Sequence, residues 1–234
     1  MKFENFWKEF SFFTNPVVRY SGKPTTLDFS FPIYRAREWN GFELVRENLQ
    51  YPSKNDCKRI GRANVPYHPV FYGSYSIDCA IKEIKTDKLY ALSTWAWKEK
   101  FEINAHLLST REKEYESALK SFNVRNNEDY ENRMIDKKRD FSAGTMLGEM
   151  LETMHGIADL FLNEEDYFGS AIIGFEELYR TRINKSYPST DVIIYPSVQL
   201  STGINLAIHP EIVDKYLVMT SVEICKQKNH PFMD

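Results

Sequence analysis

Four segments of this chain carry side chains whose types and spacing could do chemistry. In Ile33-Tyr34-Arg35-Ala36-Arg37, two arginines stand two positions apart, so on a strand both leave the same face. Two guanidiniums on an otherwise apolar strand are costly unless an anion or a carboxylate meets them; a surface strand with both arginines solvated fits the pattern equally well. Gly61-Arg62-Ala63-Asn64 could bring backbone donors and a guanidinium together at a phosphate, although taken alone it reads as an ordinary turn. From Val70 to Lys85, Tyr72 ends a strand and Glu83 rides the helix that follows. There Cys79, Ala80 and Glu83 share a helix face, so Glu83 lies toward the inward side, where a carboxylate needs a partner such as an arginine. The fourth segment is Tyr195-Pro196-Ser197, a hydroxyl just after a strand. No histidine lies close in sequence, so Ser197 is read as a turn or rim serine and not as a hydrolase nucleophile.

These residues need elements to carry them. Periodicity and turn residues predict strands over residues 31–36, 70–72, 89–97, 101–108, 192–195, 204–208 and 217–224, with Gly73 and Ser74 breaking the second. Ser76 is placed to cap a helix over roughly 77–86. Apolar residues from Met146 to Leu160 recur at three and four positions and predict a helix over 145–162; a second is expected over 170–182, and a short one starts at His209-Pro210-Glu211. Phe6, Trp7, Phe10 and Phe13 stripe one side of a short helix over 4–13. Residues 37–68 read as loops, and the dense charge of 111–140 as a solvated face or insertion. Strands at both ends with helices between them define an α+β domain with mixed or antiparallel sheets rather than a βαβ repeat.

Composition narrows the classes. At 42% hydrophobic residues the 234-residue chain buries a core, and a formal net charge of −3 argues against nucleic acid as a direct partner. Three widely spaced cysteines and five histidines without ligand spacing suggest neither a disulfide framework nor a metal site. There is no signal-peptide pattern and no apolar run of the roughly 20 residues a membrane span needs, so a cytoplasmic protein without membrane attachment is expected. P-loop, dinucleotide-binding glycine and nucleophile-elbow motifs are absent; a nucleotide would be held by another kind of pocket.

Taken in order, Tyr34-Arg35, Gly61-Arg62-Ala63-Asn64, Phe71-Tyr72, Ala80-Ile81-Lys82-Glu83 and Tyr195-Pro196-Ser197 resemble the RES domain family, with the eleven-residue step from Tyr72 to Glu83 kept. The resemblance spans roughly residues 28–225; Gly203-x-Asn205 also looks like the family's ending. It implies an ADP-ribosyltransferase-like fold of mixed sheets; around that domain the chain divides into an N-terminal helical extension over 1–27, a charged helical insertion at about 110–165 and a tail over 226–234. It further implies an enzyme that degrades NAD by hydrolysis or phosphorolysis, the toxin of a toxin–antitoxin pair. NAD would be substrate and not cofactor, with an antitoxin protein as cognate partner and a homo-oligomer compatible with it. Glu83, Arg35 and Tyr72 carry over as the catalytic set, and Arg62, Ser197, Asn64 and Tyr34 as NAD-binding residues, with Ser170 an alternative pocket serine. Arg37, the first segment and the 111–140 region depart from the family pattern. An ADP-ribosyltransferase acting on a macromolecule and a non-catalytic binding module, with Arg35 and Glu83 as a buried pair, are the competing readings.

Overall fold

The computed structural model describes residues 17–22, 31–98, 101–126, 155–163, 165–180, 182 and 189–226. Eight strands form one sheet: β1 (Val17–Gly22), β2 (Ile33–Glu38), β3 (Phe71–Ser74), β4 (Leu89–Trp97), β5 (Phe101–Leu107), β6 (Val192–Pro196), β7 (Ile204–Ile208) and β8 (Leu217–Lys226). Their order is β1-β5-β6-β7-β3-β2-β4-β8. The β5–β6 pair is parallel and the other pairs antiparallel, so the sheet is mixed and the chain α+β, as expected.

The central strands are apolar on both sides because helices cover both faces, which is why β6 and β7 read as continuous apolar runs and are buried along their whole length. Val192, Ile194, Leu206 and Ile208 face one core. Ile193, Tyr195 and Ala207 alternate with them and face another, together with Ile157, Phe161 and Ile173. Into the first core pack Tyr115, Leu119 and Phe122 of helix α3 (Lys113–Asn126). Their four- and three-residue spacing puts them on one face, so the opening of the charged region is a packed helix and not simply a solvated face.

Helix α1 (Arg46–Leu49) interrupts the stretch read as loops, anchored by Leu49 in the core and by Arg46, which donates to the carbonyls of Val213 and Leu217. Helix α2 (Ile77–Glu83) begins where expected, the Ser76 hydroxyl accepting from Cys79 N, but ends sooner: Lys85 has φ of 44°, a left-handed conformation that closes the helix. Residues 155–162 form α4, the described part of the helix expected over 145–162; 145–154 lie outside the described residues, as does 4–13. Helix α5 (Phe168–Phe175) continues into a π-helical turn over Glu176–Arg180, and α6 (Pro210–Tyr216) is capped by His209.

Two expectations change at the strands. Gly73 and Ser74 do not break β3 but belong to it, because they pair with Leu206 and Asn205 of β7. Residues 17–22, assigned to an N-terminal extension, are an edge strand of the sheet, paired with β5 over six positions. No helix among the described residues is long and apolar enough to cross a membrane.

Candidate active site

Strand register builds the site. Tyr195 of β6 lies opposite Asn205 of β7, Asn205 opposite Ser74 of β3, and Ser74 opposite Tyr34 of β2. Residues directly opposite share a sheet face, so four strands deliver one row of polar side chains across the middle of an apolar sheet. Tyr72, two positions before Ser74, joins the same face. Helix α2 crosses this row and lowers Glu83 onto it. The result is a cleft of about 290 Å³ lined by Tyr34, Arg35, Tyr72, Glu83, Tyr195 and Asn205 among others, with Arg62 and Tyr167 at its side.

Glu83 is fixed by one of its two oxygens. Ser197 Oγ donates to Oε1 at 2.6 Å and Asn205 Nδ2 donates to the same atom at 2.7 Å. Each partner is itself fixed. Ser197 Oγ accepts from Gln199 N and Leu200 N, a serine-capped turn after β6. Asn205 Oδ1 accepts from Ser74 Oγ at 2.6 Å and from Cys79 Sγ at 3.3 Å. Burial pushes the Cys79 thiol up to about 11, so it serves here as a neutral donor. Among the described residues no hydrogen bond engages Glu83 Oε2, which is left for the cleft. Gly203 permits this closeness: a Cβ there would stand 2.6 Å from Ser197 Cβ and 2.8 Å from Cys79 Sγ.

Arg35 sits where β2 and β3 diverge, since those strands pair only at Tyr34 and Ser74. Its Nη1 donates to the Tyr72 carbonyl at 2.6 Å, filling the gap in the ladder, and its guanidinium lies 5.3 Å from the Phe71 ring centre. Arg35 Nε is buried and has no partner. Burial, followed by the neighbouring charge of Arg37, lowers Arg35 to about 10, so it remains a cation at neutral pH. Arg37 is spent elsewhere, on the Asn48 carbonyl and the Phe42 ring, so the expected arginine pair does not act together in the cleft.

Arg62 reaches the cleft but is largely committed. Its Nη1 donates to the carbonyls of Phe161 and Asn163 at the end of α4, and its guanidinium lies 4.7 Å over the Tyr167 ring. Asn64 faces away from the cleft. Its Oδ1 accepts from the Tyr72 hydroxyl at 2.8 Å, and its Nδ2 donates to Arg59 O at 3.0 Å. The Tyr72 hydroxyl also accepts from Ala63 N at 2.8 Å, so Tyr72 offers the cleft its ring while its oxygen braces the 61–64 turn. Burial holds that phenol far above its ordinary range. Ser170 is fully buried in α5, donates to the Tyr167 carbonyl and does not line the cleft.

The site thus brings together Tyr34, Arg35, Arg62, Tyr72 and Glu83, with Ser197 immediately behind Glu83. Asn205, Ser74, Cys79, Tyr167 and Tyr195 were not singled out as site residues. Tyr195 and Asn205 carried a signal, each interrupting an apolar strand and each part of a quoted motif, and Cys79 shared the predicted helix face of Glu83. Among the described residues no group of three or more histidines, cysteines and acidic residues is placed to hold a metal ion.

Fold and site together define an α+β chain whose mixed sheet carries a carboxylate–arginine–tyrosine cleft over its centre. No protein-family profile matches the chain, and no curated protein matches it. Among solved structures it is similar to a chain of the M. tuberculosis MbcT–MbcA toxin–antitoxin complex, with 13% identity and a TM-score of 0.48, over 85% of this chain and 86% of that one.

Proposed function

We propose that the cleft binds NAD and cleaves its nicotinamide–ribose bond, making the chain an NAD-degrading enzyme of the toxin type whose partner is a cognate antitoxin protein. The observation that carries this reading is Glu83: one carboxylate oxygen is immobilised by Ser197 and Asn205, and the other is turned to a cleft walled by tyrosines and a buried cation. The ordered motif resemblance supplies the substrate class, and the geometry agrees with its demands. A cleft near 290 Å³ falls just below the usual span of ligand pockets, about 300–1,000 Å³, which suits the nicotinamide riboside half of a dinucleotide with the remainder outside.

In this scheme the tyrosine rings pack against the nicotinamide and ribose, and the Arg35 guanidinium supplies positive charge toward the pyrophosphate. As the C1′–N bond lengthens, nicotinamide leaves with the bonding electron pair and positive charge builds on the ribose. Glu83 Oε2 meets that charge without reorganising, because Oε1 is already held; stabilisation is therefore greater in the transition state than in the ground state. Water then bonds to C1′ and releases a proton to solvent, or phosphate bonds there through one of its anionic oxygens. The same electrostatics operate in glycoside hydrolysis.

The test is to incubate the purified chain with NAD, with and without phosphate, and measure free nicotinamide beside Glu83→Gln. Glutamine can keep both hydrogen bonds through its carbonyl oxygen while presenting a neutral amide to the cleft. A loss on the order of 100-fold, about 3 kcal/mol, is expected. Phosphate dependence in the wild type separates phosphorolysis from hydrolysis. Full turnover by a folded Glu83→Gln protein would overturn the scheme.

A further inference from the structure

Hydrogen-bond accounting around the cleft separates spent polar groups from unspent ones. The Tyr72 hydroxyl, the Ser74 hydroxyl and both ends of the Asn205 amide are satisfied internally. Tyr195 differs. It is only 4% exposed, lines the cleft, and makes no hydrogen bond through its hydroxyl among the described residues. The ring is buried while the oxygen is not among the sealed polar atoms and opens on the cleft, where a tyrosine with an apolar body and a polar tip ordinarily finds a partner. Packing holds the ring in place: Phe161 lies 5.2 Å away, centre to centre, so the side chain is not free to turn out to solvent.

What would complete it follows from its surroundings. Burial, with Tyr72 and Glu83 close by, keeps the phenol well above its ordinary range, so the oxygen retains its proton and can donate. Register sets Tyr195 directly opposite Asn205, the residue that holds Glu83 Oε1. An unspent donor and an unspent carboxylate oxygen therefore open onto one cleft. Hydroxyl groups both donate and accept, so adjacent sugar hydroxyls are complementary to this pair: one donates to the carboxylate while its neighbour accepts from the phenol. A flat base alone would satisfy the ring faces but leave this donor–acceptor pair unmatched.

We propose that Tyr195 is a substrate-contacting, specificity-determining residue whose hydroxyl donates to a sugar oxygen of the bound nucleotide, beside the sugar hydroxyl that Glu83 accepts. This rests on the NAD reading of the cleft. The variant is Tyr195→Phe, which keeps the ring against Phe161 and removes only the oxygen. Its effects on folding and on binding should separate, because no protein group loses a partner.

The experiment measures the Kd of ADP-ribose by calorimetry, the unliganded melting midpoint, and KM and kcat for nicotinamide release from NAD, each for wild type and Tyr195→Phe. The Kd is expected to rise about tenfold and KM to rise more than kcat falls. The unliganded midpoint is expected within about 1 °C of wild type or above it. An unchanged ADP-ribose Kd overturns the proposal, as does a midpoint lowered by several degrees, which would make the hydroxyl a structural group. A wild-type protein that neither binds ADP-ribose nor releases nicotinamide sinks the NAD reading and the sugar contact with it. A wild-type protein that does both, matched in every constant by Tyr195→Phe, sinks the sugar contact alone.

Discussion

Tyr72→Phe removes one oxygen from the middle of the site, and its consequences can be worked from the contacts that oxygen makes. The Tyr72 hydroxyl accepts from Ala63 N and donates to Asn64 Oδ1, each at 2.8 Å. Ala63 is fully buried and Asn64 is 7% exposed, so neither orphaned group reaches bulk water. An unsatisfied buried polar group costs about 1–3 kcal/mol. The vacated space is the size of one hydroxyl oxygen, too confined for a water to take up both bonds. A total near 2–3 kcal/mol is expected, which for a chain of this length lowers the melting midpoint by about 4–12 °C. The phenyl ring remains, so the surface offered to substrate is unchanged, and kcat and KM for NAD cleavage should stay within about threefold at temperatures where the variant is folded. The assays are a thermal melt followed by steady-state nicotinamide release at about 20 °C below the variant's midpoint. A midpoint equal to wild type refutes the bracing argument; a hundredfold loss of kcat in a protein of normal stability would instead put the Tyr72 oxygen into the chemistry.

Three further substitutions probe other parts of the arrangement. Ser197→Ala deletes the donor to Glu83 and the acceptor for Gln199 N and Leu200 N. Since Asn205 still holds Oε1, nicotinamide release should fall only about tenfold, mostly in kcat, with about 1–2 kcal/mol lost in denaturant unfolding; complete loss of activity would mean that Ser197 does more than orient. Gly174→Ala would set a Cβ 2.3 Å from Ala63 O and 2.6 Å from Ala63 C and Cα, all backbone atoms with little freedom to retreat. A loss of about 2–3 kcal/mol in chemical denaturation is expected, and an unchanged midpoint would refute the close packing of α5 on the 61–64 turn. His209 caps α6 by accepting from Glu211 N at 3.2 Å, and burial, then the Arg182 charge, lowers it to about 4 from near 6.5. Its folded pKa is below its unfolded one, so between these values the unfolded chain binds more protons; its contribution is complete above about pH 6.5 and is lost as pH falls toward 4. His209→Asn, a cap that does not titrate, should flatten that part of the stability–pH curve, and parallel curves for the two proteins would contradict the assignment.

Much of this was legible because burial on two faces leaves an obvious trace. The runs Val192–Tyr195 and Ile204–Ile208 are apolar at every position but Tyr195 and Asn205, and β4 and β5 were found to within a residue. Local punctuation misled where pairing overrode it. Gly73 reads as a strand breaker, yet it is tolerated in β3 because a larger residue would strike Ile33, 2.4 Å from where its Cβ would stand. At the site, residue types were readable and their division of labour was not. Arg62 looked like a phosphate ligand, but its guanidinium is drawn to carbonyls 99 and 101 residues along the chain, a contact no local pattern encodes. Asn64 and Tyr72 looked like two pocket groups and are partners in one bond. The row from Tyr195 to Tyr34 exists only in the register of four strands.

The placement of Glu83 argues that its free oxygen has a use. It is the last residue of α2, at the end of a helix where carbonyl dipoles make a negative charge unfavourable by roughly 0.3–1 kcal/mol. Local stability alone would be served by a cation or a neutral residue there. The fold instead supplies two charge-assisted hydrogen bonds to Oε1, each worth about 1.5–3 kcal/mol, from residues 114 and 122 positions away. Ser197 and Asn205 are in turn fixed by a capped turn and by Ser74 and Cys79. A carboxylate tied down purely for structure would have both oxygens engaged, since each unmatched acceptor in a half-buried setting is a loss. Here the bonds converge on one oxygen, and the other is left to a cleft that is also lined by the Tyr195 hydroxyl, a donor without a partner among the described residues, and by the Arg35 guanidinium. One immobile negative oxygen among donors is the arrangement that a sugar acquiring positive charge, carried by a nucleotide with phosphates, would complete.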